Sequence, residues 1–533
     1  MSIQLISISI IQPLGDFPVN DDWAYAHSVL WLLDEHRVRL SDWIAMNLLP
    51  QTLAGGMVTV LFGFSFETLR HLTQAVALLA SITIFFWFRE ARLNPVQALV
   101  ASIALIAIPC WPVLANSYMT DLYGLVFAVP AATLLLRALH KPSPLILLAA
   151  TLLASIGVLQ RQVVIVVPFA YMVAWLWGNR LWTLRTLFIG ATPFLATLAA
   201  EICYQTYLEL GPGIPVAQQY AHGRFFPLLV KTLYGEDGMR GWVTSNIISM
   251  TGYLGLFSVG WTTWWGMRSA TKGMRAAVLC SGATLIVVAL TFDWLPPYQL
   301  NNVIDAAGIG PFTLYDGMPR GIVNLDRSRG IIWKVTGVGA AFGAAALLAL
   351  IVATVAHLIR AGRSASRDRV FMAALNSAYL LPFIATGYFD RYLIFVLPFL
   401  FTLWSRTWPA VVSAPMVLQR WITLFWIFSM LGIGLIATHD YFAWNRTRWS
   451  AINTAESLGA TPDTLDGGFE YNGFHRFERK PHDPLPGKSW WWVKDDLYVV
   501  AFSPVPGYED IETLPVRCWF PRSPAQIILL RRK

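Results

Sequence analysis

The chain has 533 residues, 56% of them apolar and only 13% charged, with a mean hydropathy of +0.52. A soluble domain carries about 25% charged residues, which excludes an ordinary water-soluble fold. The net charge of +8 is scattered over short connectors rather than gathered in a patch, so it does not describe a nucleic-acid binder.

Apolar runs near the roughly 20 residues needed to cross a hydrocarbon core recur along the chain. They predict helices over 2–13, 68–88, 96–113, 121–139, 143–159, 162–178, 186–207, 244–265, 276–292, 334–359, 371–386, 391–405 and 421–438. The runs are continuous rather than alternating, which predicts helices and not a barrel. The expected fold class is an all-α polytopic membrane protein with about 13 transmembrane helices and a small α+β C-terminal extramembrane domain. The first run is short, about 20 Å of helix, and predicts a natural start upstream of Met1. It lacks a basic leader region and a cleavage site, so a signal peptide is not expected.

Every second connector is basic. These connectors hold Arg89 and Arg92; Arg137 and Lys141; Arg180 and Arg185; Arg268, Lys272 and Arg275; Arg360, Arg363, Arg367 and Arg369; Arg406 and Arg420. Only Glu90 and Asp368 oppose them. The positive-inside rule then puts these connectors in the cytoplasm and the alternate ones outside. The expected location is the cell inner membrane, with the N-terminus inside and the C-terminal segment outside.

Residues 14–67 form a long first outer loop, whose stretch 42–66 predicts interfacial amphipathic helices. Residues 209–243 and 293–333 predict two polar, Gly/Pro-rich outer loops. The expected domains are 1–439, in the membrane, and 440–533, a water-facing tail rich in aromatics. The tail carries Trp490-Trp491-Trp492 and the turn-rich run Asp466 to Gly473, read as core and turn residues more readily than as a sugar platform. The four cysteines, Cys110, Cys203, Cys280 and Cys518, lie far apart and predict buried thiols rather than a disulfide framework or metal site.

Asp21 and Asp22 follow the first span in Asn20-Asp21-Asp22-Trp23-Ala24-Tyr25. Adjacent carboxylates repel, so one tends toward protonation while the other stays ionised and suits a general base. The same pair also suits a helix cap followed by a first-turn acid. Asp121 opens the fourth span on the same side, at the lipid boundary, where it suits a shared site with Asp21 or equally an N-terminal helix charge. Arg70, Arg161 and Arg391 lie at outer span ends, where a guanidinium suits a phosphate oxygen, an interfacial anchor or an internal ion pair such as Arg391 with Asp390.

In order and on one side, these residues resemble the membrane glycosyltransferases of the GT-C fold. The closest branch is the protein O-mannosyltransferase-like superfamily (glycosyltransferase family 39-like), with the lipid A aminoarabinose transferases as cousins. The family's Asp-Glu-x-x-Tyr motif fits Asp21-Asp22-Trp23-Ala24-Tyr25, with Asp22 in place of Glu. Its Phe-Gly element ending in Arg fits Phe62-Gly63 to Arg70, and a second acid fits Asp121. Its closing Arg-Tyr element fits Arg391-Tyr392 through Pro398. The likeness covers most of residues 14–405; the tail lies outside it.

The resemblance implies an inverting transfer of sugar from a polyprenyl-phosphate carrier to a lipid, glycan or protein hydroxyl on the outer face. Nucleotide sugars are cytoplasmic, so an outward site needs a donor delivered through the lipid. Asp21 is then the catalytic base, and Asp22 and Asp121 orient the acceptor or a bound ion. Tyr25 and Tyr392 contact substrate, and one or more of Arg70, Arg161 and Arg391 meet the leaving phosphate. A divalent cation beside Asp21 and Asp121 is compatible with the two acids, although no ligand cluster demands a metal. The alternative function is a transporter or flippase for a lipid-linked or anionic substrate. It predicts mid-membrane ionisable groups, of which Glu201 is the main one.

Overall fold

The computed structural model describes residues 2–179, 183–234, 238–267, 270–291, 296–298, 302–305, 308–317, 330–408, 417–477, 487–490, 492–520 and 523–533. Arg180, Arg268, Trp491 and much of the predicted loop 293–333 lie outside them.

The chain is mostly helical, and all the predicted apolar runs fall on helix. α1 (Ser2–Ile11) leads to α2 (Asp22–Glu35) and α3 (Leu49–Phe62), which occupy the first long loop. There follow α4 (Phe66–Glu90), α5 (Pro95–Ile106), α6 (Cys110–Ala115), α7 (Asp121–His140), α8 (Pro144–Gln160) and α9 (Val166–Trp177). Next come α10 (Leu184–Leu210), α11 (Val216–Tyr234), α12 (Met239–Trp265), α13 (Lys272–Thr291), α14 (Ile331–Ala361) and α15 (Arg367–Thr386). α16 (Leu397–Thr407), α17 (Val417–Ser457) and α18 (Phe469–Arg476) complete the set. Among the described residues, seven helical stretches are long and apolar enough to cross a membrane by length and composition.

Four details depart from the sequence reading. Of the cysteines expected to be buried, Cys110 is, but Cys203 and Cys280 lie exposed on the outward faces of α10 and α13 and Cys518 is half-buried. The run 96–113 is not one helix: it breaks into α5 and α6 at Pro109, which supplies no backbone donor. The stretch 209–243 is not simply a loop, because α11 fills its middle and buries Gln218 completely. The last span does not stop at 438: α17 runs unbroken to Ser457 and carries the chain directly into the tail.

α3 is inside-out. Its small and polar residues Gln51, Thr52, Gly55, Gly56 and Thr59 face the protein. Leu53, Met57, Val60, Leu61 and Phe62 face outward, Phe62 being 76% exposed. A helix lying against lipid shows this distribution, since its solvent is apolar. Gly55 sits over Tyr118, where a side chain would collide with the phenol, and the Tyr118 hydroxyl donates to the Gln51 carbonyl at 2.8 Å.

Deep in the bundle, helices are joined by indole donors. Trp87 Nε1 reaches the Pro398 carbonyl at 3.1 Å and Thr402 Oγ1 at 2.9 Å, and Trp261 Nε1 reaches the Phe401 carbonyl at 3.0 Å. Each satisfies a buried polar handle while its ring fills the core. The tail is built on a four-stranded sheet in the order β3 (Leu465–Asp466), β4 (Tyr498–Ala501), β6 (Gln526–Arg532), β5 (Tyr508–Pro515), after a short pair, β1 (Ile304–Asp305) and β2 (Gly308–Ile309). It packs on α17 and on the loop before α2, beside the acid pair.

Candidate active site

Asp21 stands at the N-cap position of α2, yet its side chain makes no capping bond. One oxygen, Oδ1, accepts from Trp43 Nε1 at 3.0 Å; the other, Oδ2, lies 3.6 Å from Arg391 Nη2. Between a cap and a residue turned into a site, the geometry selects the second. Asp21 is also the most open of the three acids, with its side chain 18% exposed, against 2% for Asp22 and 4% for Asp121.

Asp22 points the other way. Its Oδ2 accepts a long bond from the Val19 N–H at 3.4 Å, and its Oδ1 is buried with no hydrogen-bond partner. Burial pushes its carboxyl up to about 7, against the pull of the nearby Tyr118 backbone N–H and of Arg70. Burial, far more than repulsion by Asp21, thus moves the inner acid toward protonation. Tyr25, one turn further along α2, is buried, and burial raises its phenol well above the ordinary value.

Arg391 is the centre of the constellation. It opens the short 3-10 turn Asp390–Phe395 before α16. Its Nη2 faces Asp21, its Nε lies 3.7 Å from Asp121 Oδ2, and its Nη1 meets only the Met119 sulfur at 3.7 Å. Arg161, in the extended break after α8, forms a close ion pair with Asp121. The Tyr392 ring lies beneath both guanidiniums, 5.1 Å from Arg161 and 5.5 Å from Arg391. Asp21, Asp121, Arg161, Arg391 and Tyr392 are therefore one cluster, assembled from α2, α7, the end of α8 and the turn before α16. A narrow crevice reaches Arg391 between Asn20, Ser117, Met119, Pro311 and Tyr441.

Arg70 stands apart. Its Nη1 donates to the carbonyls of Pro13 (2.7 Å) and Gly15 (3.1 Å) and its Nη2 to that of Phe17 (2.9 Å), while its Nε is buried without a partner. It locks the turn that leads into the acid pair and makes no ion pair with the acids around Arg391. The expected pairing of Arg391 with Asp390 is also replaced. Asp390 accepts instead from the backbone N–H groups of Asn302 (3.3 Å), Val303 (3.1 Å), Ile304 (2.6 Å) and Arg391 itself (2.8 Å). Backbone donors satisfy Asp390, which leaves the Arg391 guanidinium to the site.

Sequence reasoning missed what the tail contributes. Glu470 Oε1 accepts from the Asn20 N–H at 3.0 Å, and its Oε2 accepts from Thr313 Oγ1 at 2.6 Å and Arg448 Nη1 at 2.8 Å. Arg448 and Glu470 are both fully buried. Trp23 packs among Phe469, Phe477 and Trp492, with ring centroids 5.3–5.8 Å away. The loop bearing Asp21 is thus held from behind by residues 450 positions later. The Gly467-Gly468 turn beside Phe469 and Glu470 was the available signal.

The two acids nearest each other across the site, Asp21 and Asp121, both face the guanidinium of Arg391, which occupies the position a shared cation would take. These residues do not fit a divalent ion between them. Among the described residues no group of three or more His, Cys, Asp or Glu side chains converges elsewhere. Glu201, the acid on which a transporter reading leans, is tied to Asn47 at 2.5 Å and Gln205 at 2.9 Å in an amide network joining α10 to the start of α3.

The family comparison agrees with the resemblance read from the motifs. Residues 54–204 match the dolichyl-phosphate-mannose-protein mannosyltransferase family. The matched stretch runs from α3 into α10 and contains Arg70, Asp121 and Arg161, while Asp21, Asp22 and Arg391 lie outside it. Among solved structures, the chain is similar to ArnT from Cupriavidus metallidurans in the apo state, at 14% identity and a TM-score of 0.40, and to the same protein bound to undecaprenyl phosphate, at 14% identity and 0.39. Both alignments cover 99% of this chain and 97% of the other. No curated protein matches the chain.

Proposed function

We propose that this chain is a membrane glycosyltransferase that moves a sugar from a polyprenyl-phosphate carrier to an acceptor hydroxyl of a lipid, glycan or protein. The site faces the periplasm or exterior, as the basic connectors at the opposite helix ends suggest. The observation that carries the reading is Arg391: a buried guanidinium held between Asp21 and Asp121, with Nε lacking a hydrogen bond and Nη1 facing only a thioether. Such idle donors suit phosphate oxygens. The family match over residues 54–204 supports the same class of donor.

In the proposed step, Asp21 takes the proton of the acceptor hydroxyl. The acceptor oxygen bonds to the anomeric carbon as the bond from that carbon to the phosphate oxygen breaks, and the electron pair leaves with the polyprenyl phosphate. Proton and charge are coupled. As Asp21 becomes neutral, its claim on Arg391 ends, while the leaving phosphate gains one negative charge for the same guanidinium to stabilise. Asp121 holds Arg391 and Arg161 in place throughout, and Asp22 remains behind the site. A single displacement inverts the anomeric carbon.

The test is reconstitution in proteoliposomes with a panel of sugar-labelled polyprenyl phosphates and membrane extract as acceptor. The wild type should transfer label with inversion, read by NMR of the product. Asp21→Asn should lose at least about a thousandfold of the rate while remaining monodisperse. Undiminished transfer by that variant would remove Asp21 from the mechanism.

A further inference from the structure

Two helices that serve the carboxylate–arginine site, α7 and α16, meet α4 and α15 at their other ends. α7 runs from Asp121 to His140, about 30 Å at 1.5 Å per residue, which places its far end across a hydrocarbon core from the site. There the ends of α4, α7, α15 and α16 enclose a charged cavity of about 350 Å³. Its cations are Arg92, Arg137, Lys141 and Arg406, and its acids are Glu90 and Asp368.

The internal pairings leave a surplus. Glu90 is taken by Arg137 at 2.5 Å, and Asp368 by Arg406 at 3.1 Å and by His140 at 2.6 Å. Arg92 and Lys141 have no acidic partner among the described residues, so two positive charges face the cavity uncompensated. Arg406 Nε is buried without an acceptor, and so is Nε of its neighbour Arg369, whose Nη2 bonds the Arg406 carbonyl at 2.6 Å. The uncompensated positive charge that lines the cavity suits a ligand with anionic oxygens. Indoles mark the same level: Trp265 Nε1 donates to the Trp408 carbonyl at 2.6 Å, and Trp177 Nε1 to the Gly362 carbonyl at 2.9 Å. Tryptophan collects where lipid headgroups begin.

We propose that this cavity binds the phosphodiester headgroup of an anionic membrane phospholipid, on the membrane face opposite the carboxylate site. A basic pocket between helix ends at headgroup depth is suited to such a lipid, whose tails lie along the helices while its phosphate enters the cavity. The lipid would tie together the ends of α4, α7, α15 and α16, of which α7 carries Asp121 and α16 follows the turn that bears Arg391. The inference does not depend on the transferase reading.

The experiment is native mass spectrometry of the full-length protein in detergent, titrated with phosphatidylglycerol, with phosphatidylethanolamine, or with inorganic phosphate as competitor. The comparison variant is Arg92→Ala/Lys141→Ala, whose side chains are exposed and make no described ion pair. The wild type should retain phosphatidylglycerol over phosphatidylethanolamine. The double variant should bind it about 25-fold more weakly, a factor of about five per cation removed, and Arg92→Lys/Lys141→Arg should restore binding. Equal retention of the two lipids, unchanged affinity in the double alanine variant, or displacement of the lipid by millimolar phosphate would each overturn the proposal.

Discussion

Replacing Asp22 by Asn should stabilise the protein, and only above acidic pH. The Asp22 carboxyl is buried and pushed up to about 7, from an ordinary value of 3.8. In the unfolded chain it loses its proton near pH 4; in the native protein it holds that proton to about pH 7. Across this window the native state binds more protons than the unfolded state, so stability falls as pH rises. A shift of about three units corresponds to roughly 4 kcal/mol, fully developed only above pH 7. Asn has the shape of the protonated acid and does not ionise. Thermal unfolding of the purified protein, followed by intrinsic tryptophan fluorescence, should therefore give coincident midpoints for wild type and Asp22→Asn near pH 4. The curves should separate in favour of the variant by several degrees at pH 8. Transfer should stay within about tenfold of wild type, because Asp22 stands behind the site rather than in it. Parallel curves with a constant offset, or a wild type that gains on the variant as pH rises, would refute the assignment of Asp22 as the protonated member of the pair.

Arg391→Lys keeps the charge but loses the planar fork that reaches Asp21 and Asp121 together; transfer should fall about a hundredfold or more with the thermal midpoint little changed, and a Lys variant as fast as wild type would remove the need for the fork. Trp43→Phe deletes the indole donor to Asp21 Oδ1, a charge-assisted bond worth about 1.5–3 kcal/mol, so kcat should drop ten- to a hundredfold at unchanged KM. Arg448→Met leaves Glu470 buried without its cation and should cost about 3–5 kcal/mol in unfolding experiments. The double variant with Glu470→Gln should recover part of that loss; transfer should stay low in both, since the hold on Asn20 is altered. Arg70→Lys should lower stability more than it lowers the affinity for a phosphate-bearing donor, because the three carbonyls that Arg70 serves lie in the 13–17 turn.

Much of the architecture is legible in the sequence because it follows from local quantities. A run of apolar residues near 20 long has one cheap conformation in lipid, a helix that satisfies its own backbone, and the predicted runs are helical for that reason. The inside-out face of α3 follows from the same rule. The break at Pro109 was written in the run itself and was obscured by the hydropathy on either side. Candidate residues were found by type and position: acids and arginines at the apolar boundaries on one side, where an unpartnered charge needs a reason.

What the sequence alone determined was which segments are apolar, where charge collects, and that Asp21, Asp121, Arg161 and Arg391 lie at corresponding helix ends. It did not decide which charges face one another. Arg70 and Arg391 are the same residue type at similar boundaries, yet one is tied to three carbonyls and the other stands between two carboxylates. Asp21 and Asp22 are adjacent and identical, yet burial separates them by function. Glu470 supports Asn20 from the far end of the chain. These outcomes turn on separations of a few ångströms between residues up to hundreds of positions apart. Hydrophobicity and helix period act locally and carry no information about such distances; the packing of helices against one another, and of the tail behind them, sets them.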